Sequence, residues 1–568
     1  MKNKLILSML FFLTMVFLVA CQTIPTAKKN SYQQGVIQNT IYGKVKGTVS
    51  EDGQTLIYKG IPYGKASRWK APQSPDKWEG ILEVTEEAPV GIQYLWGQII
   101  GQEDALNLDI YRPNNDEQNL PVFFYIHGGN NQTGTSGEFN GQYFATKSHS
   151  IVVSINYRLG LLGFNNLPAL QTGDPGEDSG NYAILDMIRS LDWVHNNIEF
   201  FGGNPDNITL SGFSAGGRDV MALLISPLAK GKFQKAISIS GGMTIADATK
   251  SSKVIAKALA PLVLEDGVKK STEEASSWLL SKSPEVSEYL YSLSADRLAP
   301  LMSNASIRMS VFPHLYNDGY VIPKEGFNTE EYNSVPLIML TGVTEFSLFA
   351  RFDPYFNQKI TTEDIINRTE SGLEYLFVNN YGGKLYKLFN AQTSAEKMFD
   401  NYQAPIYTTT IEYGTDANLV GQEMAKVFGS FHGIWIPFLA QEASGFSGMY
   451  SDAFDNPGAK DLSQKLTNYV SNFMKNGNPN NSTLVQWNKW EDIDEGYSLL
   501  LNADSTESII KMEAQKDSIT KIIKEMEEDQ SVSSENKQRL IHNVLNGRWF
   551  SYDLDQYFGS NSIWIGVQ

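Results

Sequence analysis

The fold is decided by the stretch Ile208-Thr209-Leu210-Ser211-Gly212-Phe213-Ser214-Ala215-Gly216-Gly217, which is followed by the apolar run Val220-Met221-Ala222-Leu223-Leu224. The start of the stretch predicts a buried strand, and the later run predicts a helix. Glycines on either side of Ser214 allow a turn so tight that the hydroxyl projects from the carboxyl edge of a sheet. The backbone N–H of Ala215 would then face negative charge developing beside Ser214. A Gly-x-Ser-x-Gly pattern alone is weak, and the flanking strand and helix strengthen it.

Short apolar runs recur on both sides of this stretch, as strands buried on both faces of a parallel sheet require. They cover residues 122–126, 151–155, 208–210, 236–239 and 337–340. Between two of them, apolar residues recur every three or four positions over 185–198 and predict a helix, with Asp178 or Ser179 as its N-cap. Residues 41–63 alternate and predict a hairpin that turns at Asp52-Gly53. The chain contains no fixed-period repeat and no Pro/Gly linker. The pattern therefore predicts an α/β fold: one large domain whose central, mostly parallel sheet is flanked by helices.

The composition excludes several classes of function. The 568 residues carry 46 Lys and Arg against 63 Asp and Glu, and the net charge of −17 does not suit binding to nucleic acid. Only one cysteine is present, so neither an internal disulfide nor a thiolate zinc cluster is expected. Because no His/Asp cluster has ligand spacing, we expect no metal and no organic cofactor.

The one cysteine, Cys21, stands at the end of a predicted N-terminal targeting signal. A basic start at residues 1–4 and an apolar run over 5–18 are typical of a secretory signal, and the run is too short for a comfortable membrane span. The ending Leu18-Val19-Ala20-Cys21 resembles a bacterial lipoprotein signal, in which the cysteine becomes the lipidated N-terminus. The alternative is a plain secretory signal that ends near a cysteine. We therefore expect a signal peptide over 1–21, lipid attachment at Cys21, a polar tether over 22–36, and anchoring to a membrane of the bacterial cell envelope, on its periplasmic or extracellular side.

A nucleophilic serine needs an adjacent base, usually a histidine held by a carboxylate. Of the six histidines, His432 stands out because it lies in a Gly-flanked loop before an apolar run. One known chain order, serine then acid then histidine, places the acid between 214 and 432, just past a strand. Glu345 fits, since it follows the predicted strand 337–340 in a loop. From the residues alone, a solvated loop glutamate remains the alternative.

Further segments follow one another in the chain between residues 42 and 500. They include Gly60-Ile61-Pro62-Tyr63-Gly64, Glu103-Asp104-Ala105-Leu106-Asn107-Leu108, Ile126-His127-Gly128-Gly129-Asn130, Asn156-Tyr157-Arg158-Leu159-Gly160, Phe201-Gly202-Gly203-Asn204-Pro205, Glu345-Phe346-Ser347-Leu348-Phe349 and Phe431-His432-Gly433. Together with Gly212 to Gly217 they resemble the motifs of the type-B carboxylesterases, the cholinesterase-like branch of the α/β-hydrolases. The resemblance implies an α/β-hydrolase fold over residues 37–512 and a serine carboxylesterase that acts on a small-molecule ester.

The resemblance also implies a role for each site residue. Ser214 would attack the ester carbonyl, His432 would take and return its proton, and Glu345 would orient and stabilise the imidazolium. The oxyanion hole would consist of backbone N–H groups from Gly129, Asn130 and Ala215, with Gly128 allowing the loop its shape. His127 would flank this loop and would not act as the base.

Three departures from the family pattern concern the same site. Asn130 stands where the oxyanion loop normally has a third glycine, and asparagine accepts left-handed backbone better than most residues. Phe213 replaces the glutamate that usually precedes the nucleophile, which we expect to change substrate preference more than mechanism. Glu345 lies only three residues after Gly342, so the acid loop is shorter than usual. An apolar pocket is predicted from aromatic residues near motif positions, namely Phe213, Trp96, Phe346 and Trp435.

The C-terminal residues 513–568 predict two amphipathic helices, one over 516–529 and one from Ser534 to Gly547. We expect this extension to pack on the hydrolase body, and a partner-binding helix is the alternative. Two functions remain open from the sequence. One is a lipid-anchored serine carboxylesterase. The other is a catalytically silent hydrolase fold that serves as a binding or adhesion lipoprotein. The sequence predicts neither the oligomeric state nor the natural ester.

Overall fold

The computed structural model describes residues 32–301, 309–442, 446–491, 497–514 and 517–566. The predicted signal peptide with Cys21, and residues 22–31 of the predicted tether, lie outside the described residues. The end of that tether packs on the body, because Tyr32 is buried and its hydroxyl donates to the carbonyl of Asn115. Within the described ranges, no helix combines the length and the apolar character that a membrane span needs.

The strands are described first, in chain order. They are β1 Ile37–Asn39, β2 Lys44–Lys46, β3 Thr48–Val49, β4 Thr55–Pro62, β5 Ile81–Glu83, β6 Gln93–Leu95, β7 Gln98–Ile100, β8 Asn107–Pro113, β9 Leu120–Ile126, β10 Ile151–Ile155, β11 Gly203–Phe213, β12 Lys235–Ile239, β13 Ile245–Ala246, β14 Leu337–Gly342, β15 Ile406–Ile411, β16 Tyr497–Ala503, β17 Ser508–Ala514 and β18 Trp564–Ile565.

Helices connect and cover these strands. The α-helices are Gln142–Ser148, Gly160–Gly163, Pro175–Asp178, Tyr182–Asn197, Ala215–Ile225, Ala248–Glu265, Thr272–Leu279, Pro284–Ser292, Ala295–Leu298, Phe346–Phe352, Thr362–Ile366, Glu370–Lys387, Thr393–Met398, Ala417–Val420, Ile436–Ala440, Pro457–Asn476, Ile519–Glu528, Ser534–Leu540 and Tyr552–Tyr557. Segments of π-helix follow or stand alone at Leu388–Gln392, Met424–Phe428 and Ile541–Leu545.

One sheet forms the centre of the molecule, in the order β17-β16-β15-β14-β12-β11-β9-β10-β8-β4-β3. Neighbouring strands from β16 to β10 in this order are parallel, and the strands at both edges are antiparallel to their neighbours. Strands such as β9 and β10 are buried along their whole length, because helices cover both faces of the sheet. The chain thus has the predicted α/β-hydrolase fold, as a single large domain.

The elements predicted from apolar patterns are confirmed, and their boundaries need two corrections. The helix over 185–198 begins at Tyr182 with Asn181 as its N-cap, so Asp178 and Ser179 do not cap it. The Asp178 carboxylate instead accepts the N–H groups of Thr172 and Gly173, and the Ser179 hydroxyl donates to a carbonyl of the preceding turn. The predicted hairpin over 41–63 exists only from β3 to β4, because β2 belongs to a separate sheet with β1 and β5.

The C-terminal extension packs on the hydrolase body. Ile522, Ile523 and Met526 form the buried face of the helix Ile519–Glu528, as predicted. The second helix is capped by the hydroxyl of Ser533, one residue before the predicted cap. Farther on, β18 pairs antiparallel with β13, the short strand that follows β12 in the chain. This pairing holds the end of the chain beside the segment that leaves β12. Trp549, Phe550 and Trp564 are all buried against the body.

Candidate active site

Ser214 occupies the turn that the sequence predicts between β11 and the helix Ala215–Ile225. Its backbone angles, φ 57° and ψ −115°, lie outside the regions that non-glycine residues normally adopt. The turn is held by close backbone approach: a Cβ on Gly216 would lie 2.1 Å from the carbonyl oxygen of Ile126, and one on Gly212 would lie 2.3 Å from that of Gly216. The strained turn therefore requires glycines at these two positions, and it presents the hydroxyl at the carboxyl edge of the sheet.

The acid and the histidine meet at the same edge. Glu345 follows β14 directly, and its Oε2 lies 2.9 Å from Nδ1 of His432. Its other oxygen accepts hydrogen bonds from the Gly342 N–H and from the hydroxyls of Ser240 and Thr341. The short acid loop has a physical consequence: it turns the Gly342 N–H onto the carboxylate. Glu345 is 1% exposed, so its charge is stabilised by these donors and not by water.

The imidazole of His432 is enclosed by rings. Ring centroids of Phe213, Phe349 and Tyr386 lie 4.5, 4.9 and 5.7 Å from that of His432. The hydrogen bond that the ring makes among the described residues is the one from Nδ1 to Glu345, and none joins it to the Ser214 hydroxyl. Catalytic hydrogen bonds are often loose in a structure without substrate. Ser214 is 6% and His432 is 8% exposed, so both groups are nearly shielded from water.

Tyr386 is a site residue that the sequence did not indicate. Its hydroxyl donates to the carbonyl of Ser240, and its ring packs on His432 and on Trp549. Burial, followed by the charge of Glu345, raises the pKa of Tyr386 well above its ordinary value, while the neighbouring hydroxyl of Ser214 acts in the opposite direction. The phenol is therefore neutral, and it stands beside the nucleophile as a hydrogen-bonding group.

The loop after β9 lies against the nucleophile. A Cβ placed on Gly128 would be 3.1 Å from the Cβ of Ser214, which measures how closely the two approach. Gly129 and Asn130 have φ values of 94° and 55°. Asn130 therefore has the left-handed conformation that we expected at a position where the family motif has a glycine. In the described part of the chain, the backbone N–H groups of Gly129, Asn130 and Ala215 donate to no protein acceptor. Three unused backbone donors close to a serine are what an oxyanion hole requires.

Glu138 holds the start of this loop. Its Oε2 accepts the N–H of Gly128 at 2.8 Å and the hydroxyl of Tyr125 at 2.7 Å. Burial raises the pKa of Glu138 to about 7. Nothing in the sequence pointed to this carboxyl, because Glu138 lies eight positions beyond Asn130, the end of the recognised loop motif, and carries no motif itself.

The remaining histidines and aromatic residues have structural positions. His127 is buried and stacked on Tyr157, and burial lowers its pKa to about 4, so it is neutral; it flanks the oxyanion loop and its ring bonds to the carbonyl of Gly128. His195 is exposed on its helix. Phe213 and Trp435 pack on each other beside His432, and Phe346 is buried against Phe349 and Phe550. Trp96 is 87% exposed at the β6–β7 turn, so its predicted place in the apolar pocket is wrong. The described residues contain no group of three or more side chains that could hold a metal ion.

This fold and this arrangement of groups define a serine hydrolase of the α/β-hydrolase class. The model of the carboxylesterase family matches residues 34–381 and 378–520. The chain is 28% identical over 499 residues to the para-nitrobenzyl esterase of Bacillus subtilis, which covers 83% of this chain and 95% of that protein. It is 29% identical over 552 residues to carboxylesterase 1D of Rattus norvegicus, with 86% and 92% covered.

Solved structures agree with the sequence matches. A PNB esterase superposes with a TM-score of 0.61 at 28% identity and covers 84% of this chain and 97% of its own. A carboxylesterase of Geobacillus stearothermophilus superposes with a TM-score of 0.63 at 25% identity, with 84% and 98% covered. The chain belongs to the carboxylesterase family.

Proposed function

We propose that this carboxylic ester hydrolase uses Ser214 as nucleophile, His432 as general base and acid, and Glu345 as the group that orients the imidazole. Ser214 Oγ bonds to the ester carbonyl carbon while its proton passes to Nε2 of His432. The tetrahedral intermediate collapses, the alkoxide leaves with that proton, and the acyl group remains on Ser214. Water then attacks the acyl carbon, gives its proton to His432, and the carboxylic acid is released as Ser214 regains a proton.

One observation carries this proposal: the hydrogen bond from His432 to a buried carboxylate at the same sheet edge as a strained serine turn. The bond directs the other ring nitrogen away from Glu345, and the carboxylate stabilises the imidazolium that forms during attack. The unused N–H groups of Gly129, Asn130 and Ala215 supply the donors for the oxyanion.

The test uses protein that lacks residues 1–21 and p-nitrophenyl acetate as substrate. The wild-type chain is expected to hydrolyse it with saturable kinetics, and Ser214→Ala is expected to reduce kcat by at least about 10⁴-fold. Ser211→Ala, on the same strand but with its hydroxyl bonded to the carbonyl of Phe124, is the matched control. If wild type and Ser214→Ala are equally slow, the chain is a silent binding protein of the same fold.

The substrate is proposed to be an uncharged ester with a short or medium acyl or aryl part. Around the nucleophile and base the side chains are aromatic: Phe213, Phe349, Tyr386 and Trp435. Such a wall stabilises apolar groups and disfavours charged ones. A series of p-nitrophenyl esters from acetate to palmitate tests this, with kcat/KM expected to fall for the longest chains and for acyl groups that end in a carboxylate.

We also propose that the mature protein is attached to a membrane of the bacterial cell envelope through acyl chains on Cys21, on the periplasmic or extracellular side. The support is the sequence of residues 1–21, with a basic start, an apolar core and a small residue before the cysteine. Expression of the full chain in bacteria tests it. The protein is expected in the membrane fraction and in the detergent phase, and Cys21→Ser is expected to abolish palmitate incorporation. Soluble wild-type protein without acyl label would contradict the proposal.

A further inference from the structure

Asn130 is the residue of the oxyanion loop that departs from the family motif, and its side chain is bonded to Arg218. Asn130 carries left-handed backbone, φ 55°, at the position where the family motif has a glycine. Its side chain is fully engaged: Oδ1 accepts from Nη2 of Arg218 at 2.7 Å, and Nδ2 donates to Gln132 at 3.0 Å and to the carbonyl of Met309 at 2.6 Å. A side chain fixed at both its donor and its acceptor fixes the backbone that carries it.

Arg218 lies in the helix Ala215–Ile225, one turn after the nucleophile, and its backbone N–H donates to the carbonyl of Ser214. Arg218 is 1% exposed, and no salt bridge joins its guanidinium to a carboxylate of the described residues, although the buried carboxyl of the next residue, Asp219, is close enough to act on its charge. Burial lowers the pKa of Arg218 from its ordinary value. A buried cation without a directly contacting carboxylate costs free energy, so its charge or its position needs a structural reason.

Two residues from beyond the motif regions complete the surroundings of Arg218. Nδ1 of His314 lies 2.7 Å from the carbonyl of Phe312 and therefore carries the proton, so Nε2 accepts from Nη1 of Arg218 at 3.1 Å. Burial and the adjacent guanidinium lower the pKa of His314 well below its ordinary value, which keeps it a neutral acceptor. The indole of Trp549 covers the guanidinium face, with 4.7 Å between the guanidinium carbon and the ring centre.

We propose that Arg218 is a positioning residue that holds Asn130 in the left-handed conformation in which its backbone N–H faces the oxyanion, and that Trp549 of the C-terminal extension holds Arg218 in place. The inference deepens the proposed function and rests on it. In a family member with glycine at the loop position, the backbone reaches this conformation without help. In this chain, Asn130 needs an anchor, and the extension beyond the family match at residue 520 contributes to it.

A double-mutant cycle tests the coupling of the two residues. In the wild-type background, Arg218→Met is expected to lower kcat for p-nitrophenyl acetate by about 10- to 100-fold with KM within about threefold, since a misdirected oxyanion donor acts on the transition state. In an Asn130→Gly background, the same substitution is expected to cost less than about threefold, because glycine needs no anchor. Arg218→Gln, which keeps a donor without the charge, should lie between. Arg112→Met, at a buried arginine remote from the site, is the control and should leave kcat unchanged.

Equal losses of kcat in both backgrounds, or no loss in either, would overturn the proposal. A crystal structure of Arg218→Met decides the positioning role without any turnover: Asn130 is expected to leave the left-handed region. A structure in which its φ stays near 55° would also overturn it. If the wild-type protein hydrolyses no ester, the proposed function is wrong. The crystal structure of Arg218→Met still tests the positioning role of Arg218, because it does not depend on turnover. Should Arg218→Met not fold, Arg218→Gln serves for both measurements.

Discussion

The two sides of the active site are built in different ways. On the acid side, Glu345 and His432 follow the family motifs, and Gly342 and Thr341 bond to the carboxylate from just before the acid motif, with further donors from Ser240 and Asn390. On the oxyanion side, Asn130 departs from the motif, and its support comes from Arg218, His314 and the C-terminal Trp549. A family geometry can therefore be preserved by contacts from outside the motifs when a motif residue changes.

The largest expected effect lies on the acid side. Glu345→Gln leaves the shape but removes the charge that stabilises the imidazolium and selects its tautomer, so kcat is expected to fall by about 10³- to 10⁴-fold. Steady-state hydrolysis of p-nitrophenyl acetate measures it. Glu138→Gln, at the other buried acid of the site, is the control, with a loss of no more than about tenfold. A modest loss in Glu345→Gln would mean that another carboxyl serves as the acid.

The next effect probes the contribution of the extension to the oxyanion side. Trp549→Ala removes a buried indole that packs on Phe349, Tyr386 and Arg218, so the free energy of unfolding is expected to fall by about 3–5 kcal/mol and kcat by about tenfold. Urea titration and kinetics measure the two quantities. Tyr557→Ala, in the same extension but 57% exposed, is expected to change neither. Full activity in Trp549→Ala would separate the extension from the site.

A smaller effect concerns pH. Burial raises the pKa of Asp219 to about 7, so between about pH 4 and pH 7 the folded state holds a proton that the unfolded chain has released. Stability is therefore expected to fall as pH rises through this window, by an amount on the order of 1–3 kcal/mol. Asp219→Asn keeps the acceptor for Asn131 and should flatten the slope by about one proton. The exposed Asp206→Asn should not, and an unchanged slope in Asp219→Asn would contradict the account.

The smallest expected effect concerns Phe213, which precedes Ser214 in the chain and packs on His432. Phe213→Glu restores the residue that usually precedes the nucleophile and places a carboxylate against His432, whose ring centroid is 4.5 Å from the present phenyl ring. A nearby negative charge favours the imidazolium, so the acidic limb of the kcat/KM profile is expected to move up by about one pH unit. Phe213→Gln separates charge from polarity and should leave the limb in place. A limb that moves equally in both variants would rule out the electrostatic explanation.

The acid side and the sheet could be predicted because local patterns carry them. The strands show as apolar runs, and the turn at Ser214 shows as two glycines where a Cβ would lie only 2.1 and 2.3 Å from a backbone carbonyl oxygen. Glu345 could be chosen among many carboxylates only through the family motif. The oxyanion residues were also implied by the family motif, but the support of Asn130 could not be predicted. Arg218, His314 and Trp549 are brought together by the path of the chain to its C-terminus, and no spacing in the sequence encodes these contacts.

Boundaries were the weaker part of the prediction, for reasons of local chemistry. Asp178 and Ser179 are good cap residues by type, yet their side chains are used by the preceding turn, so the helix begins after them.

Trp96 lies close to a motif in sequence, but it occupies the exposed β6–β7 turn. Proximity in sequence does not show which side of the chain a residue faces.

Covalent labelling shows whether Ser214, His432 and the oxyanion donors act together as an active site. A fluorophosphonate reacts with a serine only where a base removes the proton and an oxyanion hole stabilises the charge, so it reports both sides of the site at once. Mass spectrometry of the labelled protein is expected to find one adduct, on the peptide that contains Ser214, with labelling lost in Ser214→Ala and in His432→Ala. No adduct on the wild-type protein, or an adduct that persists in Ser214→Ala, would contradict the account.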